Sequence, residues 1–101
     1  MKILKKKTEK TWFKFKGKVA FEIRPFRFSA SAGETTVEEL TTQFMYCLCG
    51  WKGLTEEDGK TEFECNDENK MYLFDFYEDV KFFVYEKSRE VLNGLDKDIK
   101  N

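Results

Sequence analysis

Alternating apolar and polar residues near the start of the chain predict an antiparallel β-hairpin. Residues 12–16 and 18–24 form two short runs joined at Gly17, and every second side chain of the later run is apolar, namely Val19, Phe21 and Ile23. This period of two is typical of a half-buried strand, and a glycine between two such runs is a common turn residue. Pro25 has no N–H to donate, so we expect the strand pairing to end there.

A helix is predicted after the hairpin, beginning near Thr36. Thr36 and Glu39 have the spacing of a capping box, in which the two residues satisfy each other's backbone N–H groups. Apolar side chains then recur at helical intervals, which predicts one stripe packed against the sheet: Val37, Leu40, Phe44, Cys47, Leu48 and Trp51. Gly50 is the expected C-cap of this helix. Because Trp51 continues the stripe, we favour a core position for it over an exposed one.

The segment after Trp51 is predicted to be a structured loop. Gly53 and Gly59 are expected to adopt positive φ angles and to shape this loop without making contacts of their own, and Asp58 is expected to shape it through an Asp-Gly turn. Residues 61–65 are expected to be a short extended piece that directs Phe63 inward.

Two further helices are predicted in the second half of the chain. Asn66 is expected to cap a short helix that carries Met71 and Phe74 on one side. The last helix is predicted over residues 78–93, with Gly94 ending it and with these apolar side chains facing the core: Val80, Phe83, Val84 and Val91.

These elements predict an α+β fold, with a short N-terminal antiparallel β-hairpin packed against about three α-helices. At 101 residues the chain is long enough for one domain, and its eleven phenylalanines can fill a core although 37% of the residues are charged. We expect the domain to span residues 11–94, preceded by a basic flexible arm over residues 1–10 and followed by a loose C-terminal tail over residues 95–101.

The charge is divided unevenly along the chain. Residues 1–30 carry ten basic and two acidic side chains, a net +8, whereas the remainder carries eight basic and seventeen acidic ones, a net −9. Such a division could steer the basic end toward nucleic acid or an acidic neighbour, or hold identical subunits head to tail, or leave two solvated surfaces. Aromatic residues among the first lysines are compatible with nucleic-acid binding, but the acidic remainder would repel a phosphate backbone, so we expect no nucleic-acid partner.

The sequence contains few candidate catalytic residues. The chain contains no histidine, which excludes Ser-His and Cys-His nucleophile pairs. The Asp58-Gly59 turn lacks the spacing of a calcium loop, and no glycine-rich loop has phosphate-binding spacing. We therefore expect no catalytic residues and no cofactor.

The three cysteines are expected to be free thiols in a reducing compartment. Their number is odd, and no apolar run is long enough for a membrane span or typical of a secretory signal. On the predicted helix Cys47 and Cys49 would point in different directions, and no histidine could complete a shell with Cys65, so no metal site is expected.

Several short motifs between Trp51 and Arg89 resemble the second half of small phage tail assembly chaperones and related tail-module proteins. The first two shared features are a Trp-x-Gly-hydrophobic turn, formed by Trp51, Gly53 and Leu54, and an acidic turn, formed by Asp58, Gly59 and Lys60. The other two are a helix start at Glu68, Asn69 and Lys70, and an aromatic helix with Phe82, Phe83 and Val84. Residues 21–26 are similar to the strand that precedes the first helix in such proteins. The Lys-rich start and the Cys-x-Cys before Trp51 depart from that pattern.

The resemblance implies a non-enzymatic protein in the cytoplasm of the bacterial host, one that binds another phage protein, the tape measure, and shields it during tail assembly. A homo-oligomer is compatible with this role, and no membrane partner is implied. The alternatives are a structural tail or connector subunit of the virion and a small phage protein that inhibits a host protein. The residues expected to contact the partner are Trp51, Tyr72, Tyr77, Phe82 and Tyr85.

Overall fold

The computed structural model describes Met1 and residues 10–25 and 36–100, with residues 36, 37 and 92–100 described by their backbone alone. The predictions made for residues 2–9 of the basic arm, for Phe26 and for the last residue of the tail, Asn101, lie outside the described residues.

The predicted hairpin is present at the start of a three-stranded antiparallel sheet. Strands β1 (Thr11–Lys14) and β2 (Ala20–Ile23) pair with Phe13 opposite Phe21, and Gly17 takes a φ of 53° in the connection between them. Phe21 and Ile23 are buried, as the alternating pattern predicted. The ladder ends before Pro25, as expected for a residue that cannot donate a backbone hydrogen bond.

The third strand corrects the prediction of one helix ending at Gly50. Helix α1 spans Thr36–Cys47, and the next residues form β3 (Leu48–Lys52), which pairs with β2. Glu22 lies opposite Gly50, but Ile23 lies opposite Leu48, so Cys49 is an extra residue in a β-bulge.

The bulge also explains why the sequence pattern favoured a helix. With one residue inserted, Leu48 and Trp51 face the same side of the sheet although they are three residues apart. A spacing of three is also the spacing of neighbours on a helix face, so the apolar pattern does not distinguish the two structures here.

Arg24 takes over the role that a glycine cap was expected to have at the end of α1. Its backbone N–H donates to the Cys47 carbonyl at 3.0 Å, and its side-chain Nε donates to the Tyr46 carbonyl at 2.6 Å. The guanidinium also lies 3.7 Å from the centre of the Tyr46 ring. The terminal carbonyls of the helix are therefore bonded without Gly50, which is the central residue of β3.

Two more helices complete the fold, so the α+β prediction is confirmed. Helix α2 spans Asp67–Phe76, with Asn66 as its N-cap as predicted, and α3 spans Glu78–Lys100. The predicted end of α3 at Asn93 is wrong, because the backbone stays helical through Gly94 to Lys100. A glycine within a helix weakens it but ends it only where the chain turns away, and between Gly94 and Lys100 the described backbone makes no such turn.

The core lies between the sheet and the three helices and receives buried side chains from β2, β3 and every helix. These are Phe21, Ile23, Phe44, Cys47, Leu48, Trp51, Leu73, Val80 and Val84. Edge-to-face ring contacts join the layers, with Phe44 against Phe74 at 5.4 Å and Phe15 against Phe83 at 4.9 Å between ring centres.

Candidate functional site

An open apolar groove lies where the hairpin turn, the loop after β3 and the two C-terminal helices meet. Its volume is about 580 Å³, within the usual range for ligand sites of about 300 to 1,000 Å³. The apolar part of its lining comes from all four of these elements and consists of Phe15, Val19, Leu54, Phe63, Tyr72, Leu73, Tyr77 and Val80.

The loop after β3 forms one wall of the groove because it folds into a small antiparallel pair. The Phe63 N–H donates to the Leu54 carbonyl at 2.9 Å, and the Glu56 N–H donates to the Thr61 carbonyl at 2.7 Å. Thr55 and Glu62 form a bridge between these two bonds. Leu54 and Phe63 therefore lie side by side in the groove wall.

Trp51 supports this wall from behind. Its ring stacks on Phe63 with 5.6 Å between ring centres, and its indole N–H donates to the Phe63 carbonyl at 2.6 Å. Trp51 is only 6% exposed, which confirms the predicted core position. It holds Phe63 in place and has little surface left for a partner.

Helix α2 and its C-cap residue, Tyr77, carry exposed aromatic side chains at the groove. The Asn66 side chain accepts a hydrogen bond from the Asn69 N–H at 2.8 Å, which starts the helix, and the Asn69 side chain donates to the Glu64 carbonyl at 2.7 Å, which ties it to the loop. These bonds fix the position of the helix, and with it the positions of Tyr72 in its middle and Tyr77 at its C-cap.

Tyr72 and Tyr77 lie together in the groove and are half exposed, at 50% and 48%. Phe76 lies beside them, 70% exposed and 4.9 Å from the Tyr72 ring centre. We name Tyr72, Phe76 and Tyr77 the aromatic edge. Phe76 was not predicted from the sequence, although its position four residues after Tyr72 places both side chains on one helix face.

The structure separates the other two predicted contact residues from the groove. Phe82 lies on α3 and is 60% exposed, and the Lys81 ammonium lies 5.9 Å from its ring centre. Tyr85 is half-buried against Phe44, and its hydroxyl donates to the Leu40 carbonyl. Burial raises the pKa of Tyr85, as expected for a phenol in an apolar setting.

The charged rim of the groove is acidic. Lys16 and Asp79 form an ion pair at 2.9 Å, and this hydrogen bond lowers the pKa of the Asp79 carboxyl below its usual range. Within the described part of the chain, Glu56 and Glu57 line the groove without an ion-pair partner. The net charge of the rim is therefore negative.

The three residues expected to shape the loop do so in different ways. Asp58 accepts hydrogen bonds from the Thr61 hydroxyl and from the N–H groups of Lys60 and Thr61, which lower its pKa to about 2. Gly59 has the expected positive φ, 71°, and open space around it. Gly53 also has the expected positive φ, 86°, but it was wrongly predicted to touch nothing: a Cβ there would lie 2.4 Å from the Lys18 carbonyl oxygen.

The cysteines lie away from the groove, and the described ones are free thiols. Burial raises the pKa of Cys47 to about 11, and burial also raises the pKa values of Cys49 and Cys65. The three thiols therefore stay protonated near neutral pH, which is unfavourable for nucleophilic attack. Within residues 10–25 and 38–91, where side chains are described, no cluster of three or more cysteine or carboxylate side chains is placed to hold a metal ion.

The described helices include none that is long and apolar enough to cross a membrane. Comparisons with protein-family models, with curated proteins and with solved structures found no significant match to this chain.

Proposed function

We propose that this protein is a non-enzymatic binding domain whose groove holds an apolar face of another protein. The observation that carries this proposal is the aromatic edge, where three large rings stay exposed beside an apolar groove. Exposed aromatic side chains next to a concave apolar surface are typical of protein-binding sites, because tyrosine and phenylalanine bury a large area with little loss of side-chain entropy.

The ionisable groups of the groove favour binding over catalysis. Its lining contains two tyrosines, the paired Lys16 and Asp79, and the carboxylates of Glu56 and Glu57. A general acid or base usually has a pKa moved toward neutrality by burial or by a like charge. The carboxylate of Asp79 has its pKa moved in the opposite direction, by Lys16.

The partner we propose is a long helical phage tail protein of the tape-measure type, which this chain would shield in the host cytoplasm until the tail forms. This part of the proposal rests on the resemblance of residues 51–89 to small tail assembly chaperones. A tape measure is a long helix with apolar stripes that aggregates when left uncovered. An amphipathic helix bound in an apolar groove is a known mode of recognition.

Affinity capture from phage-producing cells tests this function. We expect the tagged full-length protein to recover a very long tail protein with a heptad-like apolar pattern, identified by mass spectrometry. Tyr72→Ala with Tyr77→Ala should abolish the capture, because both rings line the groove. Phe82→Ala is the matched control, since it removes an equally exposed aromatic ring outside the groove.

Four other results would contradict the proposal. Recovery of a host protein alone would indicate an inhibitor, and recovery of nucleic acid alone would indicate a role for the basic arm. Equal capture by the groove variant and the wild type would show that the partner binds elsewhere. The same protein in purified virions, in fixed ratio to the tail proteins, would indicate a structural subunit, because a chaperone leaves before maturation.

A further inference from the structure

The groove combines an apolar floor with an acidic setting, and this combination selects a basic ligand. Residues 55–79, which form most of the groove and its surroundings, carry ten acidic and two basic side chains. Lys16, the basic residue in the lining, is already paired with Asp79. A ligand that fills the groove therefore gains most when it brings both apolar side chains and positive charge.

The chain itself contains a segment of this composition. Residues 1–7 read Met-Lys-Ile-Leu-Lys-Lys-Lys, in which three apolar side chains stand directly beside four lysines. We propose that residues 1–7 of a second copy of this chain bind in the groove, with Ile3 and Leu4 on its apolar floor and the lysines against Glu56 and Glu57. The inference rests on the groove alone and does not depend on the proposed tail partner.

The direction of β1 favours a second copy over the chain's own groove. The strand runs from Thr11 toward Phe15, which lines the groove, so Lys10 enters the strand at the end farther from the groove. Returning to the groove would require a turn and then about 13 Å along the strand, roughly eight residues in all. Lys5, Lys6 and Lys7 would then lie beside β1 and not beside Glu56 and Glu57.

Reciprocal binding by two copies gives a closed two-fold dimer, since each groove receives the segment of the other chain. A partner protein that needs the groove would have to displace this segment. Self-association would therefore compete with partner binding and would keep the aromatic edge covered until a partner is present.

Sedimentation equilibrium of the purified full-length protein tests the inference directly. From about 10 μM to about 1 mM, the mass is expected to rise from 12.1 kDa toward twice that value. Raising the salt from about 50 mM to about 500 mM should weaken association at least about tenfold, because the contact depends on charge. A protein that stays monomeric over the whole range would overturn the proposal.

Charge-reversal variants identify the two surfaces. Lys5→Glu with Lys6→Glu and Lys7→Glu, or Glu56→Lys with Glu57→Lys, should each weaken association at least about tenfold, and an equimolar mixture of the two variants should associate again. Glu86→Lys with Glu90→Lys is the control, because it makes the same charge change on α3 outside the groove lining. This control variant should associate as strongly as the wild type. Association that survives both reversals would place the contact on another surface and refute the proposal.

Amide NMR shifts of the wild type give an independent readout during dilution. Signals from Leu54, Glu57, Tyr72 and Tyr77 should move together with those of residues 2–7 as the concentration falls. Shifts that respond to the lysine reversals but not to dilution would show that the segment binds its own chain, which would contradict a second-copy contact. Failure of this test would leave the capture of a tail protein unaffected, because the capture is measured with a different partner.

Discussion

Replacing Gly53 with alanine tests how closely the loop after β3 lies against the hairpin turn. Gly53 has a φ of 86°, and a Cβ on it would lie 2.4 Å from the Lys18 carbonyl oxygen and 2.8 Å from the carbonyl carbon. Gly59, in the same loop, has a φ of 71° and no atom within 4 Å of a Cβ. The two glycines share the unusual backbone conformation and differ in the space around them, which makes Gly59→Ala a matched control.

The structure predicts two different losses of stability. Forcing an L-residue into a positive φ costs about 1 to 2 kcal/mol, and this cost applies to both variants. In Gly53→Ala the methyl group also meets backbone atoms, which no change of rotamer can move away, and relieving such a clash adds about 1 to 3 kcal/mol. We therefore expect Gly59→Ala to lose about 1 to 2 kcal/mol and Gly53→Ala about 2 to 5 kcal/mol.

Urea unfolding of the full-length variants measures this difference. The denaturant slope should stay the same in both variants, so that the midpoint reports stability alone. Heat unfolding should give the same order, with about 4 to 8 °C for each kcal/mol in a domain of this size. If Gly53→Ala costs no more than Gly59→Ala, the close approach between the loop and Lys18 is wrong.

The other predictions concern the core, the helix start and the loop. Phe44→Ala and Leu48→Ala should each lower the free energy of unfolding by about 2 to 5 kcal/mol, because both side chains are fully buried, and wild-type stability of either variant would refute their placement. Asn66→Ala should cost about 1 kcal/mol in urea titrations, whereas Asn66→Asp should keep the cap. Because the pKa of Asp58 is lowered to about 2, its hydrogen bonds to Thr61 should be complete above about pH 4 and should be lost toward pH 2. The NMR signal of the Thr61 amide should therefore shift with a midpoint near pH 2. A midpoint near pH 4 would contradict these hydrogen bonds.

The hairpin and the capped helix could be predicted because local chemistry decides them. Phe21 and Ile23 alternate with polar residues, and Asn66 has an oxygen at the right place to accept the bond that begins α2. Neither feature depends on residues distant in the sequence.

Strand β3 could not be predicted because a distant partner decides it. Leu48 and Trp51 have helical spacing, and only the pairing with β2, with Cys49 as the bulged residue, makes them a strand. The glycine in this strand looked like a helix cap for the same reason. The role of Arg24 in closing α1 likewise depends on residues more than twenty positions apart.

The candidate site was partly predictable. The exposure of Tyr72, Tyr77 and Phe82 could be predicted because the chain has more aromatic residues than its core needs. The groove itself could not be predicted, because it depends on how the loop after β3 packs on the hairpin turn. This packing places Tyr72 and Tyr77 in the groove and leaves Phe82 outside it. Phe63 was predicted to point inward, and the structure places it between Trp51 and the groove.

The most direct test of the central claim is the soluble fraction of the captured tail protein when it is produced with and without this chain. A chaperone that covers an apolar helix should keep most of that protein soluble, and Tyr72→Ala with Tyr77→Ala should lose the effect while Phe82→Ala keeps it. A tail protein that is equally insoluble with the wild-type chain, or equally soluble with the groove variant, would contradict the proposed role of the groove.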